Sequence, residues 1–367
     1  MPTPLVGAHA GEGRSGPLTR RARRVLVGAL GVGGLTLSAI GVATPASANT
    51  ASTKVPLVLY AAEGYDSAMA TAFQKATGIP VRLDDDSTGP LLAKVVAERN
   101  NPQWGILWVD GATAFAGLDQ QGLLYQGFEP KVAFTSIGQA NIPKDKSYVP
   151  TGFTLMPGIV YNSNVLSPSQ LPTSYEELLK PQWTGAVGMN DPAVSGPTYP
   201  FVAGLMNQLG GENQGKEFFT KLKQNGLHVF QTNDVTLNAL ESGTIKVALI
   251  QSSAGIGASI KTPNIKVAFV PRSTVLPGAI GIDKKASPAV RAEAEQFIEF
   301  VLSKKGQEVQ QSGDPTGDSL YWPVLQGVSP KAGLPGLSKI TTQTIDPHLW
   351  GSRENSINEW FTQNITT

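Results

Sequence analysis

The chain contains no cysteine and only three histidines among its 367 residues. Without a thiol it can form neither a disulfide framework nor a cysteine-based catalytic centre, and no cysteine is available for lipid attachment. Beyond the first 48 residues only His228 and His348 remain, and they are isolated in sequence, which is typical of structural histidines. The motifs Gly-x-Ser-x-Gly and His-Glu-x-x-His are also absent. We therefore expect no catalytic residues and no enzymatic activity.

Positive charge is concentrated near the start of the chain. Four arginines between positions 20 and 24 precede an uncharged run from Val25 to Val42, and Ala46-Ser47-Ala48 has the small residues of a cleavage site. We predict that residues 1–48 are a signal peptide cleaved near Ala48, which places the mature chain in the periplasm. An uncleaved membrane anchor is the alternative, and the arginines are compatible with either the general or the twin-arginine export route.

The rest of the chain has little net charge. Removal of residues 1–48 leaves 24 basic and 27 acidic side chains, a net charge of −3. The chain therefore lacks the excess of positive charge that is typical of proteins that bind nucleic acid or an anionic membrane surface. We therefore expect no nucleic-acid partner.

Short apolar strands alternate with amphipathic helices through the first part of the mature chain. The run from Val55 to Tyr60 is followed by a helix from Asp66 that ends at Gly78, and two further strand–helix pairs follow it. This alternation predicts an α/β fold with a mostly parallel sheet flanked by helices. A mature chain of about 320 residues is longer than a single hydrophobic core usually supports, so we expect two lobes.

Two apolar segments without helical periodicity predict strands that cross between the lobes. One runs from Tyr148 to Tyr161, and the return runs from Lys266 to Pro271 and then from Gly278 to Ile282. From these positions we assign residues 49–152 and 272–325 to the first lobe. The second lobe is expected to contain residues 153–271 and 326–367.

Three similar polar runs each follow a strand and begin a helix. They are Ser87-Thr88-Gly89-Pro90, Ser195-Gly196-Pro197-Thr198 and Ser252-Ser253. Hydroxyl groups and unpaired backbone N–H groups at a helix N-terminus favour an anion, although the same residues also form ordinary helix caps. Since the pattern recurs, we expect one anion-binding cleft, with contacts from Ser87, Thr88, Gly89, Ser195, Thr198, Ser252 and Ser253.

Carboxylates and aromatic residues occur near the same strand ends. Glu63, Asp110, Asp318 and the run 84–86 could contact an ammonium group on the ligand, and their alternative role is that of solvated or capping carboxylates. Tyr65 and Tyr321 could line the cleft, or they could belong to the core. We expect Glu63, Asp110, Tyr65 and Tyr321 to contribute to the site.

Several segments resemble a known family. The opening run from Leu57 to Gly64, the helix end from Ala72 to Ile79 and the helix from Ala289 to Gln307 are similar to those of periplasmic solute-binding components of ABC importers. The resemblance is to the branch that includes ferric-iron, phosphonate and sugar-phosphate binders. It implies a type II fold, in which two α/β lobes joined by crossing strands close on a ligand. It also implies an inner-membrane permease as the partner, and we expect the protein to be a monomer.

The resemblance also bears on the ligand. Iron-binding members of this branch hold the metal with an adjacent tyrosine pair, and Ser252-Ser253 stands at the matching place, while Glu63-Gly64 stands where those members have a histidine. Serine hydroxyls are poor ligands for ferric iron. The Ser87 and Ser195 runs are instead similar to those of phosphonate binders. We expect a small organophosphorus anion, such as 2-aminoethylphosphonate, with no metal and no cofactor. A ferric-iron-binding transport protein and an exported phosphate-ester hydrolase are the alternatives.

Overall fold

The computed structural model describes residues 54–269 and 272–367, which form two β-sheets packed against helices. The predicted signal peptide, residues 1–48, lies outside the described residues. No helix in the described part of the chain combines the length and the apolar character needed to cross a membrane.

The secondary structure alternates strands and helices. The strands are β1 (Leu57–Ala61), β2 (Val81–Asp85), β3 (Ile106–Asp110), β4 (Val149–Met156), β5 (Gly158–Asn162), β6 (Val187–Asn190), β7 (His228–Phe230), β8 (Val247–Ile250), β9 (Ile265–Ala268), β10 (Ser273–Ile282) and β11 (Thr342–Gln343). The helices are α1 (Asp66–Thr77), α2 (Thr88–Ala97), α3 (Ala112–Gln120), α4 (Ser136–Ala140), α5 (Thr198–Gln208), α6 (Glu212–Gln224), α7 (Asn233–Glu241), α8 (Ser252–Lys261), α9 (Pro288–Val301), α10 (Lys304–Gly313), α11 (Pro347–Gly351) and α12 (Glu354–Phe361).

The first sheet has the order β11-β10-β3-β1-β2, and β4 also pairs with β10. The β2-β1-β3 part is parallel, as the alternation of strands and helices predicts, whereas β10 is antiparallel to both β3 and β4. All five residues of β3 are buried, because helices cover both faces of this sheet. Phe73 and Phe297 pack on one face, and Leu91 and Phe115 pack on the other.

The second sheet has the order β7-β6-β8-β5-β9. Its β7-β6-β8 part is parallel, and β5 is antiparallel to β8 and β9. Phe201, Phe219 and Trp350 lie in its larger core, and Leu240 lies in a smaller cluster with residues of β8. Each sheet therefore has a parallel part whose strands all end at the same edge.

The chain crosses between the sheets at Pro157. β4 pairs with β10 through Met156, and β5 begins in the second sheet at Gly158. The lobe boundary that we placed after Gly152 thus falls inside a strand, because an extended crossing segment gives no sequence signal for the residue at which it changes sheets. In the return direction, β9 of the second sheet ends at Ala268, and β10 of the first sheet begins at Ser273.

The C-terminal segment is shared between the two cores. Leu334, Leu337 and Ile340 pack against the core of the first sheet, whereas Trp350 and Ile357 belong to the core of the second. Our assignment of all of 326–367 to the second lobe therefore differs from the packing in its first part. The sequence indicates that an apolar residue will be buried, but it does not indicate which of the two cores the residue will join.

Candidate functional site

A cleft of about 590 Å³ lies between the two sheets. Residues that follow β1, β2 and β3 line one side, and residues that follow β6, β7 and β8 line the other. The carboxyl ends of parallel strands are where α/β sheets bind ligands. The cleft is therefore the candidate binding site.

The lining of the cleft is strongly acidic. Among its described residues none is lysine, arginine or histidine. Lys94, the nearby cation on α2, is paired with Asp84 outside the lining. A concave surface with charge of one sign attracts the opposite charge, so the lining favours a positively charged group. The carboxylates that line the cleft are Glu63, Asp66, Asp85, Asp86, Asp110, Asp234 and Asp318.

Three of these carboxylates form what we call the acidic floor: Glu63, Asp110 and Asp318. Glu63 and Asp110 are 3% and 6% exposed, and each member of the floor accepts a hydrogen bond from a neutral donor. A buried carboxylate held only by neutral donors keeps its negative charge uncompensated. The donors are Tyr65 Oη to Glu63 Oε2 at 2.9 Å, Gln251 Nε2 to Asp110 Oδ2 at 2.9 Å, and Gly64 N to Asp318 Oδ2 at 2.9 Å.

One oxygen of the floor is left without a partner. Glu63 Oε1 is buried and has no hydrogen-bond donor among the described residues. A Cβ atom built on Gly278 would lie 3.2 Å from Glu63 Oε1 and 3.6 Å from Asp110 Oδ1. A side chain at this position of β10 would therefore meet both oxygens, and glycine leaves them without that contact. A buried acceptor without a donor is costly, so the floor is suited to a ligand that donates hydrogen bonds.

Burial and mutual repulsion raise the pKa values of the floor. Loss of solvation raises the pKa of Glu63 well above its ordinary value, and the charges of Asp110 and Asp318 raise it further. The pKa of Asp110 is also well above its usual range, mainly through burial and then through Asp318. Burial raises the pKa of Asp318 to about 6. The floor must therefore either hold protons or receive a cation.

The two sides of the cleft are in direct contact. The backbone N–H of Gly89, on α2, donates to the carbonyl oxygen of Val194 at 3.2 Å. Gln251, which follows β8, reaches across to Asp110 at the end of β3. We expected Gly89 to contact an anion, but its backbone N–H already donates a hydrogen bond to the facing lobe.

Five of the residues predicted for the site line the cleft. They are Ser87, Thr88, Ser195, Glu63 and Asp110. Ser87 is the N-cap of α2, and the helix begins at Thr88, so Pro90 occupies its third position. Proline is tolerated there because the first turn of a helix has no internal acceptor for its N–H groups.

The two predicted serines of α8 do not line the cleft. Ser252 is fully buried, and its Oγ accepts a hydrogen bond from the backbone N–H of Leu155 at 3.0 Å. Ser253 is also fully buried and donates to Asp318 Oδ1 at 3.4 Å. Ser252 therefore attaches α8 to β4. Ser253 contacts Asp318 of the acidic floor from outside the cleft lining.

The other four predicted residues also lie outside the lining. Gly89 faces the backbone of Ala193, and Thr198 is fully buried in the first turn of α5. Tyr65 and Tyr321 are 3% and 2% exposed, with ring centroids 6.4 Å apart. Both rings are buried in the first lobe, and only the Tyr65 hydroxyl reaches the floor.

Sequence reasoning missed several residues that line the second-lobe side. The run from Gln231 to Asp234 follows β7 and includes the first two residues of α7, and Gln251 bonds directly to the floor. Gln231 to Asp234 carried a signal, since four polar residues follow a strand and Thr232 caps the next helix. The strand, however, has only three residues, and this makes it hard to recognise in the sequence.

We predict that Ser252→Ala lowers stability without lowering ligand affinity. The substitution leaves the buried N–H of Leu155 without an acceptor, which costs about 1–3 kcal/mol. Chemical denaturation should show this loss, while calorimetric affinity should remain unchanged. Ser259→Ala on the same helix is the matched control, because Ser259 only bonds within its own helix. A loss of affinity in Ser252→Ala without a loss of stability would contradict this role.

We also predict that the ligand-free protein becomes less stable as the pH rises towards neutrality. Burial raises the pKa of Asp66 to about 7 and that of Asp318 to about 6, so the folded state holds protons that the unfolded chain releases. The free energy of unfolding should therefore fall between about pH 4 and about pH 7. Denaturation midpoints across this range test the slope, and Asp318→Asn should flatten it. A midpoint that rises with pH would contradict the raised pKa values.

Comparison with protein families gives one match over most of the chain. Residues 68–337 match the family described as bacterial extracellular solute-binding protein. The match begins in α1 and includes the strands of both sheets apart from β1 and β11. It therefore covers nearly all of the elements that form the cleft.

Individual relatives and solved structures differ in the solute that their names give. A putative 2-aminoethylphosphonate-binding periplasmic protein of Salmonella typhimurium is 25% identical over 246 residues, which is 64% of this chain and 68% of the relative. An Fe(3+)-binding periplasmic protein of Serratia marcescens is 25% identical over 328 residues, 84% of this chain and 90% of the relative. The structure of AfuA from Actinobacillus pleuropneumoniae, with fructose-6-phosphate bound, superposes with a TM-score of 0.73 at 20% identity, covering 84% of this chain and 98% of that one.

Proposed function

The chain belongs to the bacterial extracellular solute-binding protein family, and from this premise we propose that its solute carries a positively charged amine. It is a periplasmic solute-binding protein of an ABC transporter, with the type II periplasmic binding protein fold, and both of these predictions from the sequence are confirmed. Members of this family bind small solutes and work with inner-membrane permeases. They are the non-enzymatic components of transport.

The observation that carries the proposal is the acidic floor with its unpartnered oxygen. Glu63 Oε1 lacks a donor among the described residues, and a Cβ on Gly278 would lie 3.2 Å from it and 3.6 Å from Asp110 Oδ1. A primary ammonium group supplies three N–H donors and one positive charge. It would both satisfy the unpartnered oxygen and relieve the repulsion among the three carboxylates, which a simple anion cannot do.

The polar side chains at the edge of the cleft favour an acidic group at the other end of the solute. We call these residues the rim: Ser87, Thr88, Ser195 and Asn233. Asn190 Nδ2 donates to Ser195 Oγ at 3.3 Å and to Asn233 Oδ1 at 2.7 Å. Because these two oxygens already accept, the Ser195 hydroxyl hydrogen and the Asn233 amide N–H groups remain available as donors. Ser87 and Thr88 lie on the facing lobe. Hydroxyl and amide donors suit a phosphonate oxygen.

We therefore propose an aminoalkylphosphonate, with 2-aminoethylphosphonate as the specific candidate. Its amine would lie on the acidic floor and its phosphonate at the rim between the lobes. The organophosphorus anion expected from the sequence is retained only in this amine-bearing form, because the amine must offset the negative charge of the lining.

The ferric-iron alternative has less support. Among the residues that the structure describes, no three His, Cys, Asp or Glu side chains are grouped so that they could hold a metal ion. Ser252-Ser253, which replaces the tyrosine pair, is buried away from the lining. We do not carry iron or ester hydrolysis forward as proposals.

Calorimetric titration with two matched solutes tests the proposal. Ethylphosphonate has the carbon chain and phosphonate of 2-aminoethylphosphonate but lacks the amine. Loss of one partner of a buried charge pair costs about 2–5 kcal/mol, so ethylphosphonate should bind at least about 30-fold more weakly. Equal or tighter binding of ethylphosphonate or inorganic phosphate would contradict the amine requirement.

Ethylamine and ferric citrate complete the panel. Ethylamine should bind weakly, because it satisfies the floor but makes no contact with the rim. If ethylamine binds as tightly as 2-aminoethylphosphonate, the amine assignment stands and the phosphonate assignment is wrong. If ferric citrate is the tightest binder, the ferric-iron alternative replaces the proposal.

A further inference from the structure

A chain of hydrogen bonds between buried neutral side chains runs through the first lobe to the acidic floor. Tyr321 Oη donates to Gln307 Oε1 at 3.0 Å, and Gln307 Nε2 donates to Gln310 Oε1 at 3.0 Å. Gln310 Nε2 then donates to Tyr65 Oη at 3.1 Å, and Tyr65 Oη donates to Glu63 Oε2 at 2.9 Å. Each of these five side chains is at most 3% exposed. We call this series the donor chain.

Backbone carbonyl groups fix the direction of the donor chain. Gln307 Nε2 also donates to the carbonyl oxygen of Val301 at 3.0 Å, and Gln310 Nε2 also donates to that of Thr151 at 3.3 Å. A carbonyl oxygen can only accept, so both amides must present their nitrogen on these sides. Tyr65 Oη accepts from Gln310, and its single hydrogen is therefore directed to Glu63.

We propose that the donor chain positions Glu63 so that Oε2 is permanently occupied and Oε1 alone accepts one N–H of a solute ammonium group. This inference rests on the proposed amine-bearing solute and deepens it. Tyr65, Gln310, Gln307 and Tyr321 are positioning residues, since they act through Glu63 and do not line the cleft. Because Oε2 already accepts from Tyr65, Oε1 is the oxygen left to accept an N–H of the ammonium group.

The charges around Glu63 make this hydrogen bond important. Asp110 at the end of β3, Asp318 in the loop after α10, and Asp66 at the start of α1 all raise the pKa of Glu63 in addition to its burial, whereas the hydrogen bond from Tyr65 lowers it. A neutral donor to the charged form stabilises that form. The donor chain thus offsets part of the repulsion and keeps Glu63 available as a charged acceptor.

Three tyrosine-to-phenylalanine variants form a matched series. Tyr65→Phe removes the last donor, Tyr321→Phe removes the first, and Tyr60→Phe is the control, because the buried Tyr60 hydroxyl bonds to Glu98 and is not part of the donor chain. The pKa of Glu63 is measured in the ligand-free protein by carbon-13 NMR titration of labelled glutamate carboxyl groups. We expect Tyr65→Phe to raise it by about one pH unit, Tyr321→Phe to raise it less, and Tyr60→Phe to leave it unchanged.

The second readout is the affinity for 2-aminoethylphosphonate as a function of pH. Tyr65→Phe should lower this affinity about tenfold near neutral pH, and raising the pH should recover part of it, because more of Glu63 is then ionised. The affinity for ethylphosphonate, which has no amine to place on Glu63, should not change. Thermal unfolding of each variant shows whether the fold is retained.

The two readouts separate this inference from the proposed function. If the wild-type protein does not bind 2-aminoethylphosphonate, the phosphonate proposal fails, while the NMR series still decides whether the donor chain controls the ionisation of Glu63. An unchanged Glu63 pKa in a folded Tyr65→Phe variant would overturn the inference. So would equal losses of affinity in Tyr65→Phe and Tyr60→Phe, or an equal loss for ethylphosphonate.

Discussion

The substitution Glu63→Gln is expected to lower the affinity for 2-aminoethylphosphonate by about 100-fold, because it removes a buried negative charge that would pair with the amine. Glutamine has the same shape, and Tyr65 can still donate to its side-chain oxygen, so the floor should keep its geometry. The same substitution should stabilise the ligand-free protein near neutral pH, since it removes a carboxyl group whose pKa is raised in the folded state by burial and by Asp110 and Asp318. Calorimetry and thermal unfolding of the variant measure the two effects.

Asp84→Asn is the matched control, because it removes one negative charge that does not belong to the lining of the cleft. Asp84 is paired with Lys94 and lies outside the lining of the cleft, so its neutralisation should change affinity by no more than about twofold. A Glu63→Gln variant that binds as the wild type does would show that Glu63 is not an amine acceptor. A variant that loses both stability and affinity would show instead that Glu63 has a structural role.

The substitution Gly89→Ala is expected to lower affinity about 10- to 100-fold by preventing full contact between the lobes, because overpacking of this kind costs roughly 1–3 kcal/mol. A Cβ atom at Gly89 would lie 2.0 Å from the carbonyl oxygen of Ala193. That atom belongs to the backbone of the facing lobe and cannot move aside on its own. Alanine favours α2 itself, so the first lobe should remain folded.

Small-angle scattering should distinguish this effect from a loss of stability. In the wild type the radius of gyration should decrease when solute binds, since a solute that contacts both lobes stabilises the closed form. In Gly89→Ala the decrease should be smaller at the same saturation. Gly336→Ala is the control, because a Cβ there would meet only the Ser338 hydroxyl at 4.0 Å. Unaltered affinity and scattering in Gly89→Ala would contradict the contact between the lobes.

Much of the fold could be predicted from the sequence because local rules determine it. The helix from Asp66 to Gly78 and the strand–helix alternation follow from periodicity and caps, and the structure contains both. The exact cap of the turn at Glu177 could not be assigned in this way. The Glu177 carboxylate accepts hydrogen bonds from the backbone N–H and the hydroxyl of Thr173, although the neighbouring Ser174 offers the same hydroxyl group in the sequence.

The site was predicted less completely than the fold. The Ser87 and Ser252 runs look alike in sequence, since each places hydroxyls at a helix start. Only the three-dimensional arrangement shows that Ser87 lines the cleft while Ser252 holds the backbone of Leu155. The acidic floor combines Glu63 with a residue more than 200 positions away in the chain, and no local pattern shows that such carboxylates share one buried space.

A crystal structure of the protein with 2-aminoethylphosphonate bound would show directly which residues hold the amine. We expect the amine nitrogen at about 3 Å from Glu63 Oε1, with Asp110 beside it. The phosphonate should contact Ser195 and Asn233 of the second lobe together with Ser87 of the first. A phosphonate group on the acidic floor, or a solute bound outside this cleft, would contradict the central claim that Glu63 and its neighbours recognise a positively charged amine.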